Sequence, residues 1–283
     1  PRLGHLGDLV EVIRIAKDRG MRVIADLVVN HTSDKHPWFV SARSSRDSHY
    51  RDYYVWRDEK PAETSAPVFP DQETSLWELD EKTGQYFQHV FYKYQPDLNI
   101  TNPVVRDEMA KIIGFWLELG LSGFRVDAVP FLLDTDGSVD GKKHLPDPQK
   151  FFGGTSGGEL SMQFDFIVMQ NMYLSLARQE ARPLVEALLS RPAGSPDSQW
   201  ANFVRNHDEL TLDKLSDVER EEVFAAFGPE ERMQVYGRGL VRRLPPMLDG
   251  DPRRIRMVYS LLFSLPGTPV LFYGEEIGMG ENL

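Results

Sequence analysis

The chain has 283 residues, 43 acidic against 32 basic side chains, a formal net charge of −11 and no cysteine. The length allows one large domain or two small ones. The acidic balance argues against a nucleic-acid surface and leaves a neutral partner open, while the missing thiols exclude disulfides and thiolate metal sites and fit a reducing compartment such as the cytoplasm. No apolar run of about 18 residues occurs, so no membrane partner is expected. The chain starts at Pro1 rather than at a methionine, and no targeting signal is visible.

In chain order, residues 6–19 place Leu6, Leu9, Val10, Ile13 and Ala16 at the period of an amphipathic helix, with Gly20 as its cap. Residues 21–29 are a β-branched apolar run broken by one acid, Asp26, which predicts a strand buried on both faces in a parallel sheet. That run opens into Asn30-His31-Thr32-Ser33-Asp34, a polar strand end. The succession predicts an α/β architecture with its site at the carboxyl ends of the strands. Residues 31–101 are irregular and aromatic, too long for an ordinary loop, and predict a small excursion domain. Its rings serve either as a compact core or as stacking faces for sugars. Asn102-Pro103 starts a helix over 104–119, with Ile112, Ile113, Phe115, Trp116 and Leu119 on its buried side.

Residues 123–129 read as a short buried strand in which Arg125 and Asp127 share one face. Opposite charges there are costly unless paired or used. Two readings stand side by side, a structural ion pair and a fixed carboxylate for sugar chemistry. Further on, the pattern predicts a polar loop at 134–141, a Gly-rich stretch at 151–158, a strand at 162–166 and a helical stretch at 169–189. After a loop at 191–198, a strand at 200–204 leads into Arg205-Asn206-His207-Asp208-Glu209. Helices are predicted near 217–227, 230–240 and 253–264, and a last strand at 270–273. The basic run 238–243, with Arg253, Arg254 and Arg256, reads as solvated helix face.

Three strand ends therefore carry Asn30-His31, Arg125-x-Asp127 and Asn206-His207-Asp208. If these strands are parallel neighbours, two carboxylates and two imidazoles surround one cavity. Such a set suits glycosyl transfer, in which one carboxylate attacks the anomeric carbon or stabilises an oxocarbenium ion and another protonates the leaving oxygen. The competing readings are satisfied structural imidazoles, or a metal site built from His31 and His207.

Asp26-x-x-x-Asn30-His31, Gly123-Phe124-Arg125-x-Asp127 and Asn206-His207-Asp208 resemble three of the four signature regions of the α-amylase family of glycoside hydrolases. Gln95-Pro96-Asp97-Leu98-Asn99 resembles the extra motif of that family's α-glucosidase-like branch. Residues 30–39, 127–132, 205–212 and 273–280 are similar to its trehalose synthase branch, which interconverts maltose and trehalose. The resemblance implies a (β/α)₈ TIM-type barrel with a small domain inserted after the third family strand. Here 31–101 would be the insert, and 1–30 with 102–283 an incomplete barrel.

Carried over position by position, the resemblance implies Asp127 as nucleophile, Asp208 as transition-state stabiliser, and His31, Arg125 and His207 as sugar-binding residues. It implies a structural Ca²⁺ held by Asn30, Asp97, the carbonyls of Phe131 and Leu132, and Asp134, an all-oxygen set that suits this ion. No organic cofactor is implied, and the substrates would be small α-glucosides such as maltose or trehalose. The family's general acid, a Glu at the end of the fifth strand, has no counterpart between Asp127 and Asn206; Glu159 stands in a Gly-Gly-Glu-Leu setting that matches a later loop. The expectation is a domain whose first two strands lie before Pro1, whose β-domain lies after Leu283, and which is shortened near His144. Three outcomes follow: a retaining isomerase, a hydrolase, or a sugar-binding fragment without turnover.

Overall fold

The computed structural model describes residues 4–63, 67–69, 71–132, 160–192 and 197–282. Two compact units divide the chain, Pro1–Pro148 and Gln149–Leu283. Compactness thus groups the aromatic segment 31–101 with the helices and strands on either side of it.

In the first unit, helix α1 (Leu6–Asp18) starts where the Asp8 carboxylate accepts the His5 backbone N–H at 2.6 Å. The chain leaves it through Gly20 at φ +75°, a left-handed position that favours glycine. Strand β1 (Ile24–Val28) pairs in parallel with a later strand, β5 (Gly123–Asp127). Between them lie α2 (Pro37–Ala42) and an antiparallel sheet of β2 (Trp56–Arg57), β3 (Trp77–Asp80) and β4 (Gln85–Gln88) in the order β2-β4-β3. Helix α3 (Pro103–Glu118) begins at Asn102, whose side chain accepts the Val104 N–H at 3.0 Å, with Pro103 in the first turn.

The aromatic residues of the segment pack mainly on one another. Phe39, fully buried, meets Tyr54 and Phe87 edge-on at 4.9 and 5.1 Å and lies parallel to Trp56 at 5.8 Å. The Arg51 guanidinium covers the other ring system of this core, 3.3 Å from the Trp56 ring, and donates to the Ala42 carbonyl at 2.7 Å.

Two burial expectations fail in this unit. Strand β1 is not buried on both faces: Leu27 is buried, but Ile24 and Val28 are exposed. Among the described residues β1 and β5 form a sheet of two strands, and the Ile24–Asp26–Val28 face of β1 is left largely uncovered. Helix α3 likewise buries Val105 fully, while Ile112, Ile113, Trp116 and Leu119 are half-buried and Phe115 is exposed.

In the second unit, β6 (Met162–Phe164), β7 (Gln199–Phe203) and β11 (Thr268–Val270) form a parallel sheet in the order β11-β7-β6. Helices α4 (Phe166–Arg178), α5 (Arg182–Leu189), α6 (Asp217–Phe227) and α8 (Pro252–Ser264), with the short α7 (Leu244–Met247), bury Met172, Tyr173, Val223, Phe227, Leu244 and Leu262 with Phe203. Asp165 caps α4 through Val168 N–H at 2.8 Å and pairs with Arg191 at 2.6 Å.

Four expectations are corrected here. The helical stretch 169–189 is two helices, broken where Gln179 takes φ 58° and Pro183 opens α5. The helix at 230–240 is instead a 3-10 turn followed by a hairpin of β9 (Gln234–Val235) and β10 (Gly239–Leu240), which also pairs with β8 (Leu210–Thr211). Tyr236 and Gly237 are both left-handed, at φ 54° and 60°, as a tight hairpin requires. The last strand stops at Val270 rather than running on to Tyr273, because its partner β7 ends at Phe203, opposite Val270. Arg242 and Arg243 are not solvated: Arg243 is buried and Arg242 pairs with Glu281 at 2.8 Å.

Among the described residues, five parallel strands lie in two sheets, and neither sheet closes into a barrel. No described helix is long and apolar enough to cross a membrane. Truncating Phe39 to Ala is expected to remove about 3–5 kcal/mol of stability, read as a lower urea midpoint at unchanged slope. A loss well under 1 kcal/mol, below the range for emptying a packed ring site, would show that Phe39 is not at the centre of the aromatic core.

Candidate active site

Strand β5 carries the first of the two motifs. Because side chains repeat every two residues, Arg125 and Asp127 project from one face. The parallel register then places Asp26 of β1 opposite Arg125 and Val28 opposite Asp127. One guanidinium nitrogen, Arg125 Nη1, lies 2.9 Å from Asp127 Oδ1 and 3.0 Å from Asp26 Oδ1. The strand is half-buried throughout rather than buried, with 31% of the Asp127 side chain and 24% of Arg125 exposed. Among the described residues this sheet has two strands, which leaves the β5 side chains only partly covered. Immediately after Asp127, Ala128 takes the left-handed conformation at φ 56° and the chain turns into a 3-10 helix, Val129–Phe131.

The end of β1 is tied to the aromatic segment. His31 and Asp97 form an isolated antiparallel bridge, and Leu98 N–H donates to the Asn30 carbonyl at 2.8 Å. Asn30 Nδ2 lies 3.1 Å from Asp97 Oδ1 and 3.3 Å from His31 Nδ1. Val90 N–H donates to Asp97 Oδ2 at 3.0 Å. The His31 ring packs on Phe91 at 5.2 Å, and Phe91 packs edge-on against Phe131 at 5.1 Å. Burial pushes the His31 pKa below its ordinary 6.5, while the nearby charge of Asp127 pushes it back up. Asn30, His31, Asp97, Arg125, Asp127 and Phe131 therefore belong to one neighbourhood, with half-buried Leu132 next in the chain. Asp134 lies outside the described residues.

This neighbourhood can be tested as a cation site. Among the described residues no group of three or more His, Cys, Asp or Glu side chains could hold a metal. A cation here would therefore depend on main-chain carbonyls as well as on Asp97, which matches an oxygen-rich hard-ion set. Asn30 presents its amide nitrogen to Asp97, so ligation by both requires the amide to turn its oxygen inward.

The second unit carries the other motif at the end of β7. Asn206 Oδ1 accepts the Asp208 N–H at 3.2 Å, closing a tight turn. His207 Nε2 lies 3.5 Å from Asp208 Oδ2, and each of these side chains is 52% exposed. Beneath the turn lies a residue to which the sequence reading gave no role, Arg205. It is buried and donates to the Asn206 carbonyl at 2.8 Å, to the Asp208 carbonyl, and to the Arg242 carbonyl at 2.6 Å. A cation placed directly before Asn206-His207-Asp208 was the available signal.

Because the folded-state pKa of His31 is depressed, its ring is neutral at pH 7. Its contribution to stability is present above pH 6.5 and is lost as pH falls through the depressed value. An NMR titration of the His31 ring is expected to give a midpoint below 6.5, moved lower still by Asp127→Asn, which removes the charge that opposes the shift. A midpoint above 6.5, or an upward move in the variant, contradicts this environment.

A family model described as the alpha-amylase catalytic domain matches residues 1–156, more than half of the chain. Trehalose synthase/amylase TreS of Mycobacterium tuberculosis is 38% identical over 313 residues, covering 99% of this chain and 52% of that protein. Trehalose synthase of Pimelobacter sp. is 38% identical over 320 residues, covering 100% of this chain and 56% of that one. The chain thus spans about half the length of these curated relatives. Among solved structures, an alpha-amylase from H. orenii superposes with a TM-score of 0.70 at 24% identity, covering 98% of this chain and 54% of that chain. The trehalulose synthase MutB from Pseudomonas mesoacidophila gives 0.68 at 26%, covering 98% and 53%. Sequence and fold agree, and the chain belongs to the alpha-amylase family.

Proposed function

We propose that this chain acts on α-glucosidic bonds by a retaining mechanism, with maltose-to-trehalose isomerisation as its reaction. The observation that carries the reading is the Arg125–Asp127 contact of 2.9 Å at the end of β5, next to His31. Asp127 Oδ would attack the anomeric carbon as the bond to the leaving oxygen breaks, giving a covalent glucosyl ester. Arg125 holds that carboxylate in place, and neutral His31 can exchange hydrogen bonds with sugar hydroxyls. Asp208, as the family likeness implies, would stabilise positive charge developing on a sugar, with His207 as a sugar-binding residue. The leaving oxygen needs a proton, and no described residue is assigned to supply it. Isomerisation then requires that glucose be retained, re-oriented and returned to the ester before water arrives.

Likeness to trehalose synthases at 38% identity supports isomerisation over other outcomes. Hydrolysis is the second reading, favoured by the half-exposed His207 and Asp208 side chains, which water can reach. We also propose a structural Ca²⁺ held by Asn30, Asp97, the Phe131 and Leu132 carbonyls and Asp134. It would link the aromatic segment to the end of β1 and take no part in the bond-breaking step.

Incubation with maltose is expected to yield trehalose; glucose as sole product selects hydrolysis. To test Asp127 without the proton donor, α-glucosyl fluoride plus azide is expected to give a glucosyl azide, lost in Asp127→Asn by at least ~10³-fold. No azide product from the unaltered chain leaves only sugar binding. Removal of calcium by EDTA is expected to lower the melting temperature, with recovery on adding CaCl₂ at about 100-fold over its Kd, equivalent to ~2.7 kcal/mol. An unchanged melting temperature rejects the calcium site.

A further inference from the structure

We propose that Arg205 is a positioning residue for Asp208, set within a buried charge cluster that includes Glu275; this rests on the sugar chemistry put forward for Asp208. Arg205 is 7% exposed, and its acceptors are all carbonyl oxygens: Asn206, Asp208 and Arg242 in the main chain, with the Asn206 side chain at the limit of contact. Its fork holds both ends of the 206–208 turn from the inside and ties it to the end of β10. The Asn206 side chain also accepts the Asp208 N–H at 3.2 Å, and His207 Nε2 lies 3.5 Å from Asp208 Oδ2. Since His207 and Asp208 point half into solvent, the direction of the Asp208 carboxylate depends on a main chain that Arg205 holds still.

A guanidinium bound by neutral acceptors in a buried place needs an anion nearby. Glu275, 3% exposed, sits just after β11 and accepts from the Tyr259 hydroxyl of α8. Burial pushes the Arg205 pKa down, and the Glu275 charge pushes it back up. Burial pushes Glu275 up, opposed by the Tyr259 hydrogen bond and by the charges of Arg243 and Arg205. Arg243, buried at the end of β10, donates to the Tyr273 carbonyl. The Tyr173 hydroxyl of α4 donates to the Val204 carbonyl at 2.7 Å, directly before Arg205.

Two atoms of this cluster, Glu275 Oε1 and Arg243 Nε, are buried without a hydrogen-bond partner. A buried charge cluster left partly unsatisfied is a poor source of stability. Its geometry does something else: it connects the packed ends of α4, α8, β10 and β11 to an exposed turn. Arg205, through its contacts with the Asn206, Asp208 and Arg242 carbonyls, is thus the route by which the packed second unit sets the aim of Asp208.

The test uses Arg205→Lys and Glu275→Gln in the full chain. Amide hydrogen exchange is followed at Asp208, and kcat and KM are measured for transfer from α-glucosyl fluoride to azide. Arg205→Lys keeps the charge and loses the fork. It is expected to speed Asp208 exchange by about tenfold or more while exchange in α6 and α8 stays unchanged. It should also lower kcat by about 10²-fold with KM little moved, as misplacement of a reacting group does. Glu275→Gln is expected to act in the same direction and more weakly.

Unchanged Asp208 exchange in both variants overturns the proposal, as does an increase spread evenly over the second unit. If Arg205→Lys does not fold, Glu275→Gln decides by the same two results. An unaltered chain inert toward the fluoride overturns the sugar chemistry, and exchange at Asp208 then separately supports or overturns the clamp.

Discussion

One guanidinium shared between two carboxylates organises the motif in the first unit. Arg125 meets Asp127 two residues along its own strand and Asp26 across the sheet, and the second contact exists only in the register that pairs Asp26 with Arg125. A slip of one residue would send Arg125 to the opposite face from Asp26 and strand a cation among apolar side chains. The ion pair is part-exposed, so its worth to stability is small. Its effect is to select a register, and the register in turn fixes where β1 ends and where His31 begins.

The aromatic segment reaches the same place from another direction. Phe39 holds Tyr54, Trp56 and Phe87 together, and Tyr54 forms a bridge with Leu98 next to Asp97. Leu98 and Asp97 are the residues that grip Asn30 and His31 through main-chain and side-chain contacts. Packing of these rings thus determines the setting of an imidazole that feels the charge of Asp127. This answers the choice left open by composition: most of these rings form a core, and few remain as faces for a ligand.

What could be read in advance divides along physical lines. Helices α1, α6 and α8 and strands β5 and β7 were legible because caps, prolines and apolar period act over neighbouring residues. The hairpin at 234–240 was not, since it depends on Tyr236 and Gly237 both adopting left-handed backbone, which apolar spacing does not encode. The break at Gln179 has the same origin. Burial of β1 was misjudged because it depends on how many strands and layers cover the run, not on the run itself. The motif residues Asn30, His31, Arg125, Asp127, His207 and Asp208 stood out as a pattern. Arg205 and Glu275 did not, because their relation to each other spans 70 positions and appears only when β7, β10 and β11 come together.

Ala128 shows how narrowly the chain is constrained beside Asp127. A left-handed backbone at a residue with a β-carbon costs on the order of 1–2 kcal/mol, yet it lets the strand stop at the carboxylate and veer at once into the 3-10 turn. Valine, isoleucine and threonine, whose branching crowds this conformation further, are poorly suited to the position, whereas glycine or asparagine fits it readily. The repertoire of residues that natural variation or a library can place at 128 is accordingly short, and it is set by main-chain torsion instead of by any contact with a sugar.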